Sequence, residues 1–233
     1  FIKNIFKKYG FELSEIQVNQ FETYLNELKI NNEKFNITAI TEDKEIVIKH
    51  FLDSCMLGRE IDLTKDIKVI DIGTGGGFPG MPLKILYPNL KVTLVDALSK
   101  RINFLNELIR KLELKDIEAL HARSEDLGRD EEFREQYDLA VSRAVAYLPT
   151  LSEYCLPFVK VGGKFIPLKM FDHEEEIKLS ENAIKTLGGN LDEIRDYSLD
   201  EIDDTRSLVF ISKIENTKKE YPRNSKKIKQ KPL

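Results

Sequence analysis

Lys68-Val-Ile-Asp71-Ile-Gly73-Thr-Gly75-Gly-Gly77-Phe78-Pro-Gly80 is the stretch whose reading decides the fold. A short apolar run, KVIDI, breaks abruptly into glycines. That grammar belongs to a buried strand followed by a tight turn whose backbone N–H groups can approach a ligand closely. Downstream, KVTLVD (91–96), IEALHA (117–122) and YDLAVS (137–142) repeat the apolar run. Amphipathic stretches separate them, with Ile102, Leu105, Leu108, Ile109 and Leu112 on one face of the segment 100–112. After Gly162-Gly163 come KFIPLK (164–169), a charged helix from about His173 to Thr186, RDYSL (195–199) and SLVFISKI (207–214). Strands spaced by helices of this length predict an α/β fold with a mostly parallel sheet. The last two strands have no helix between them, so they should form an antiparallel hairpin.

Upstream, residues 1–65 read as helical. Ser14 with Gln17 forms a capping-box pattern, and Ile16, Phe21, Tyr24, Leu25 and Leu28 recur at helical spacing up to a break at Asn31-Asn32. A second helix is predicted over about 42–57. Neither can bury its apolar stripe alone, so both should pack on the α/β region downstream. The expected organisation is a helical extension (1–65), a catalytic α/β domain (66–215) and a basic tail (216–233).

Composition narrows the class. Hydrophobic residues at 41% and charged residues at 33% fit a globular protein with an ample core. No run of 18 apolar residues exists to span a membrane. The first residues lack the apolar region of a secretory signal, and the chain starts on Phe1, so native residues are expected to precede it. Cys55 and Cys155 make no disulfide scaffold, and His50, His121 and His173 are too scattered for a Cys/His metal site. A reducing cytoplasm and a monomer are expected, with Cys155 and His50 in the core unless His50 caps a helix. The net charge of −4 divides unevenly: residues 216–233 carry +6, leaving −10 on the rest. A basic tail on an acidic body suggests an anionic partner.

Two cofactor readings fit the glycine loop. Gly75-x-Gly77-x-x-Gly80, with Asp96 19 residues after Gly77, formally matches a dinucleotide fingerprint. Asp71-x-Gly73-x-Gly75-x-Gly77 instead matches the signature of S-adenosylmethionine-dependent methyltransferases, with their Rossmann-like class I sheet. A carboxylate at Asp71 would oppose a pyrophosphate but favour an ammonium and a sulfonium, and the closing hairpin suits the methyltransferase sheet. Ligands in open α/β sheets lie outside the carboxyl ends of the strands. That places Asp96 at the ribose hydroxyls, Ser124 and Glu125 near the adenine, and Arg143, with Ser142, at the reaction site. An NAD-dependent oxidoreductase and a non-catalytic RNA-binding module are the competing functions. No Asp/Asn-Pro-Pro-Tyr tetrapeptide and no Pro-Cys pair follows strand four, which argues against an exocyclic amino acceptor and a covalent cysteine mechanism.

FNITAI (35–40), KHFLDS (49–54), VIDIGTGGGFPGMPL (69–83), VDALSKRINFL (95–105), DLAVSRAVA (138–146), GGKFIPLK (162–169) and the YPR…KPL ending (221–233) together resemble the RsmG (GidB) family of 16S ribosomal RNA methyltransferases. The resemblance runs from about Phe35 through Pro232. It implies methyl transfer from S-adenosylmethionine to a guanine N7 of 16S rRNA, free or in an assembling small subunit. It also implies that Gly73, Phe78, Ser124, Glu125 and Arg143 line the cofactor pocket. The family commonly has Lys-Gly after strand five, whereas Met170 follows Lys169 here. Guanine N7 carries a lone pair and no proton, so no catalytic base is expected, only positioning. Lys3, Lys7, Lys8 and the tail are candidate phosphate contacts.

Overall fold

The computed structural model describes residues 1–170, 174–199 and 204–233. Among these, seven strands form one sheet in the order β3-β2-β1-β4-β5-β7-β6. The strands are β1 (Lys68–Ile72), β2 (Lys91–Asp96), β3 (Ile117–His121), β4 (Tyr137–Arg143), β5 (Val159–Met170), β6 (Gly189–Leu199) and β7 (Asp204–Lys213). The first five are parallel and β7 runs antiparallel to both β5 and β6, so the α/β sheet and its closing hairpin stand as expected. β1 is buried at every residue after Lys68, as a central strand covered on both faces must be.

Helices cover those faces. α1 (Ile2–Lys8), α2 (Glu15–Asn32), α3 (Asp43–Ile46), α4 (Asp53–Cys55), α5 (Gly80–Leu86) and α6 (Ser99–Lys111) share one hydrophobic cluster. α7 (Ser124–Leu127) follows β3, and α8 (Leu148–Cys155), α9 (Glu174–Thr186) and α10 (Ser225–Gln230) cover the other face. The predicted capping box at Ser14 and Gln17 is present, and Cys155 is buried in the core. No described helix is long and apolar enough to cross a membrane.

Several expectations change. Ile16 is 73% exposed rather than part of the buried stripe, because α2 turns Phe21, Tyr24, Leu25 and Leu28 inward. The helix over 42–57 is interrupted by a π-helical turn, Val47–Leu52, the kind of insertion that re-aims side chains near functional sites. β5 begins at Val159, running through Gly162 at φ +88°. β6 begins at Gly189, before the predicted 195. His173, the expected start of the charged helix, lies outside the described residues.

Residues 216–233 are anchored rather than free. Arg134 donates to the carbonyls of Thr217 at 2.6 Å and Tyr221 at 2.7 Å. Lys213, buried and with its ammonium pushed down to about 8 by desolvation, donates to Thr217 Oγ1 at 2.7 Å. Ile228 is fully buried.

Candidate functional site

Strand register gathers the predicted residues along one edge. Asp71 lies opposite Leu94 and Val141, Asp96 opposite His121, and Arg143 opposite Leu168. All stand at or near carboxyl ends of adjacent parallel strands, where the loops leave room for a ligand.

A cavity of about 310 Å³ opens there, lined by Gly73, Asp96, Ser124, Glu125, Val145 and Tyr154 among others. Gly73 adopts φ +71°, and a Cβ on it would sit 2.4 Å from Val145 Cγ2. The chain therefore approaches the cavity at a position no side chain could share. Asp96 is 4% exposed. Its Oδ2 accepts from the Gly75 N–H at 2.9 Å and from Arg101 at 3.2 Å, and its Oδ1 accepts from the Leu98 N–H at 2.9 Å. It thus fastens the glycine loop while facing the cavity. A carboxylate has about four lone-pair sites, and three are taken, so one remains for a ligand hydroxyl. Ser124 donates to Glu125 Oε2 at 3.4 Å, and both are nearly buried.

Asp71 does not face the cavity in the way the charge argument supposed. Its Oδ2 accepts from Thr74 Oγ1 at 2.7 Å and from the Gly80 N–H at 2.8 Å, closing the loop from beneath. Oδ1 is buried without a hydrogen-bond partner, and burial pushes the carboxyl up to about 6. Ser142 also serves the frame, donating to the Ile72 carbonyl at 2.8 Å.

Phe78 stands one layer back from its expected place. Its ring stacks on His50 at 4.6 Å and on Tyr24 at 5.5 Å, with the Arg143 guanidinium 5.1 Å from its centroid. Neither Phe78 nor Gly75 lines the 310 Å³ cavity. Tyr24, from α2, donates to the Gly76 carbonyl at 2.5 Å. The helical extension thus braces the glycine loop.

Arg143 lines a second cavity, about 430 Å³, with Lys49, His50, Asp53, Tyr147, Lys169 and Arg206 among its walls. Ala146 lines both cavities, so they are neighbours. Arg143 donates to Asp53 Oδ2 at 2.7 Å, to the Lys49 carbonyl at 2.8 Å and to His50 Nδ1 at 3.0 Å. Arg143 thus lines this cavity while ion-paired to Asp53. Asp53, 1% exposed, also accepts from the Tyr197 hydroxyl at 2.8 Å. His50 is not a core residue: the π-helical turn aims it at Arg143, and burial together with that cation pushes its imidazolium down to about 3. Lys169, near the end of β5, pairs with Glu176 at 2.5 Å and donates to the Ala146 carbonyl at 3.1 Å. The residues missed by sequence reasoning are Asp53, Tyr147, Tyr197 and Arg206. Only Asp53 carried a signal, inside KHFLDS.

A third cavity, about 570 Å³, is lined by Lys68, Lys91, Val92, Ile117 and Tyr137. It sits at the amino ends of the strands, away from the glycine loop. No cluster of three metal-ligating side chains occurs among the described residues.

Comparison with known proteins points to one family. A family model described as rRNA small subunit methyltransferase G matches residues 17–209. A Clostridium novyi protein named ribosomal RNA small subunit methyltransferase G is 48% identical over 222 residues, 95% of this chain and 91% of that one. One of the same name from Alkaliphilus metalliredigens is 47% identical over 232 residues, 100% and 97% of the two chains. Among solved structures, a SAM-dependent methyltransferase from Aquifex aeolicus superposes with a TM-score of 0.56 at 17% identity, covering 73% of this chain and 93% of its own. A ribosomal protein L11 methylase from Lactobacillus delbrueckii subsp. bulgaricus gives 0.53 at 19%, covering 71% and 79%. Those two likenesses speak to the fold alone.

Proposed function

The chain belongs to the rRNA small subunit methyltransferase G family, and on that premise we propose that it methylates N7 of a guanine in 16S rRNA with S-adenosylmethionine. The observation that carries this reading is the pair of adjoining cavities that share Ala146. One offers the glycine turn and Asp96; the other offers Arg143. S-adenosylmethionine supplies a methyl group on a positively charged sulfur. In the first cavity Asp96 would accept a ribose hydroxyl, and Ser124 and Glu125 would meet the adenine. The Gly73 backbone would lie against the methionyl portion. Gly75 and Phe78 act from behind, Gly75 by holding Asp96 and Phe78 by supporting Arg143.

The second cavity suits an unpaired guanine with its phosphates. Lys49, Arg143, Lys169 and Arg206 outnumber Asp53 and Glu176 in its walls, a balance that draws in a polyanion. Tyr147 is 68% exposed at its mouth and offers a stacking face to a splayed-out base. Three of the five arginine donors of Arg143 are engaged by Lys49, Asp53 and His50; the remainder can reach guanine O6.

The acceptor atom follows from what the walls can do with protons. His50 is neutral and already hydrogen-bonded on both nitrogens, to Arg143 and Thr38. Asp53 is committed to Arg143 and Tyr197, and Glu176 to Lys169 and the Leu148 N–H. An acceptor needing deprotonation finds no base, whereas guanine N7 needs none. Its lone pair forms the new bond to the methyl carbon as the carbon–sulfur pair returns to sulfur. Cytoplasmic location and action as a monomer complete the reading. The test is transfer of tritiated methyl from S-adenosylmethionine to small-subunit rRNA lacking the modification. Label must appear at a guanine that aniline cleaves after borohydride reduction, and label on an amino group or ribose would overturn the N7 assignment.

A further inference from the structure

Sequence alone presents residues 216–233 as a basic tail for RNA, yet the structure gives part of it another position. Glu153, fully buried in α8, accepts from the Arg223 N–H at 2.7 Å, from Arg223 Nε at 2.9 Å and from its terminal nitrogen at 2.7 Å. Asn224 then caps α10, accepting from the Lys227 N–H at 3.0 Å. Ile228 plugs into the core beneath. With the helix fixed at both points, Ser225 and Lys229, four residues apart and so on one face, line the 310 Å³ cavity beside Tyr154, Ser124 and Glu125. Ser225 hydrogen-bonds the Tyr154 side chain.

We propose that α10 is a wall of the cofactor site, with Ser225 and Lys229 contacting the adenosine end of a bound S-adenosyl nucleoside. This rests on the methyltransferase reading and adds a binding element to it. The adenosine end is the one concerned, because Ser225 hydrogen-bonds Tyr154, which lies near Glu125 and Arg123 in the segment after β3. Lys229 also sets the charge of the cavity. Asp96 and Glu125 are opposed there by Arg123 and Lys229, a balanced set that becomes negative when Lys229 is lost. S-adenosylhomocysteine has no net charge and S-adenosylmethionine carries one positive charge, so the two ligands report that balance differently.

Calorimetry of both ligands with the full chain tests the proposal. Ser225→Leu, which fills the wall, should weaken both ligands by about tenfold or more through steric exclusion. Lys229→Glu, on an exposed face of α10 and so harmless to folding, should weaken S-adenosylhomocysteine about 2–5-fold more than S-adenosylmethionine, since nearby charge discriminates between them. Wild-type affinities in both variants overturn the proposal while leaving the methyltransferase reading intact. A wild-type protein that binds neither ligand overturns both together.

Discussion

The Arg143 guanidinium lies 3.0 Å from His50 Nδ1 and thereby fixes the tautomer of that imidazole. An arginine can only donate, so Nδ1 must present its lone pair. The proton then resides on Nε2, which donates to Thr38 Oγ1 at 2.7 Å. Protonating Nδ1 would set two donors against each other beside a cation. Together with burial, this holds the imidazolium down to about 3.

That relationship has a consequence for stability. Between its ordinary value of 6.5 and about 3, His50 is protonated in the unfolded chain but not in the folded one. Stability is therefore lost as pH falls through this window, by up to about 1.4 kcal/mol per pH unit. Asp71 acts in the opposite sense, since its folded value is raised from 3.8 to about 6 and the folded state takes up its proton first. The two should offset each other between about pH 6 and 4. Urea unfolding of Asp71→Asn should then fall more steeply toward acid than the wild type, and His50→Gln less steeply. Parallel curves for all three proteins would defeat the argument.

Asp96→Asn keeps the shape of the side chain and one acceptor oxygen but removes the charge. Binding of S-adenosylhomocysteine should weaken by roughly 1–3 kcal/mol, the range for losing a charge-assisted acceptor. Calorimetry on folded protein measures it, and an unchanged affinity removes Asp96 from the ribose position. Alanine is the poorer test, because it releases Gly75, Leu98 and Arg101 together, whereas asparagine keeps the acceptor for one side of that set.

Gly73→Ala places a methyl group 2.4 Å from Val145 at a positive φ. The strain of that backbone region costs on the order of 1–3 kcal/mol, and relief requires Val145 to move at the junction of the cavities. Thermal unfolding should drop and cofactor affinity with it. Retention of both would mean the turn adapts freely.

Arg223→Met leaves Glu153 buried without its cation and should destabilise the protein by about 3–5 kcal/mol. Replacing both residues with methionine should recover much of that loss, since the penalty is an uncompensated charge and not the absence of the pair. Chemical denaturation of the two single variants and the double variant completes the cycle. A strictly additive result would contradict a buried pair.

The methyl-transfer step should be nearly independent of pH from about 6.5 to 8.5, because no base has to ionise. His50 is already neutral throughout this range. Single-turnover rates at saturating RNA and cofactor provide the check. A tenfold rise per pH unit, with RNA binding complete, would indicate an amino or hydroxyl acceptor.

The parallel strands and their carboxyl-end residues were legible in sequence because continuous apolar runs and glycine turns are local signals. Asp96, Ser124, Glu125 and Arg143 fall where strand ends predict them. The Asp53–Arg143 pair joins residues 90 apart, and no local pattern announces it. The π-helical turn that aims His50 was hidden for a related reason: a one-residue insertion leaves the apolar spacing almost unchanged. Phe78 is expected at the pocket wall only because the family resemblance implies it, whereas its ring packs on Tyr24 and Phe51 across the helical layer. The tail reads as a basic segment for an anionic partner because lysines dominate its composition. Its anchoring depends on Arg223 and Ile228, two residues that composition averages away.

The phenol of Tyr24 hydrogen-bonds the Gly76 carbonyl, and its oxygen would stand 2.6 Å from any Cβ placed on Gly77. The amino-terminal helices are therefore not a detachable module appended to a ready-made catalyst. A chimera that joins the helices of one relative to the sheet of another inherits two halves of a single mould. It should work only when position 24 and the glycines at 76 and 77 are exchanged as a set. Excised alone, the sheet would keep its glycine sequence but lose the surface against which that loop is cast.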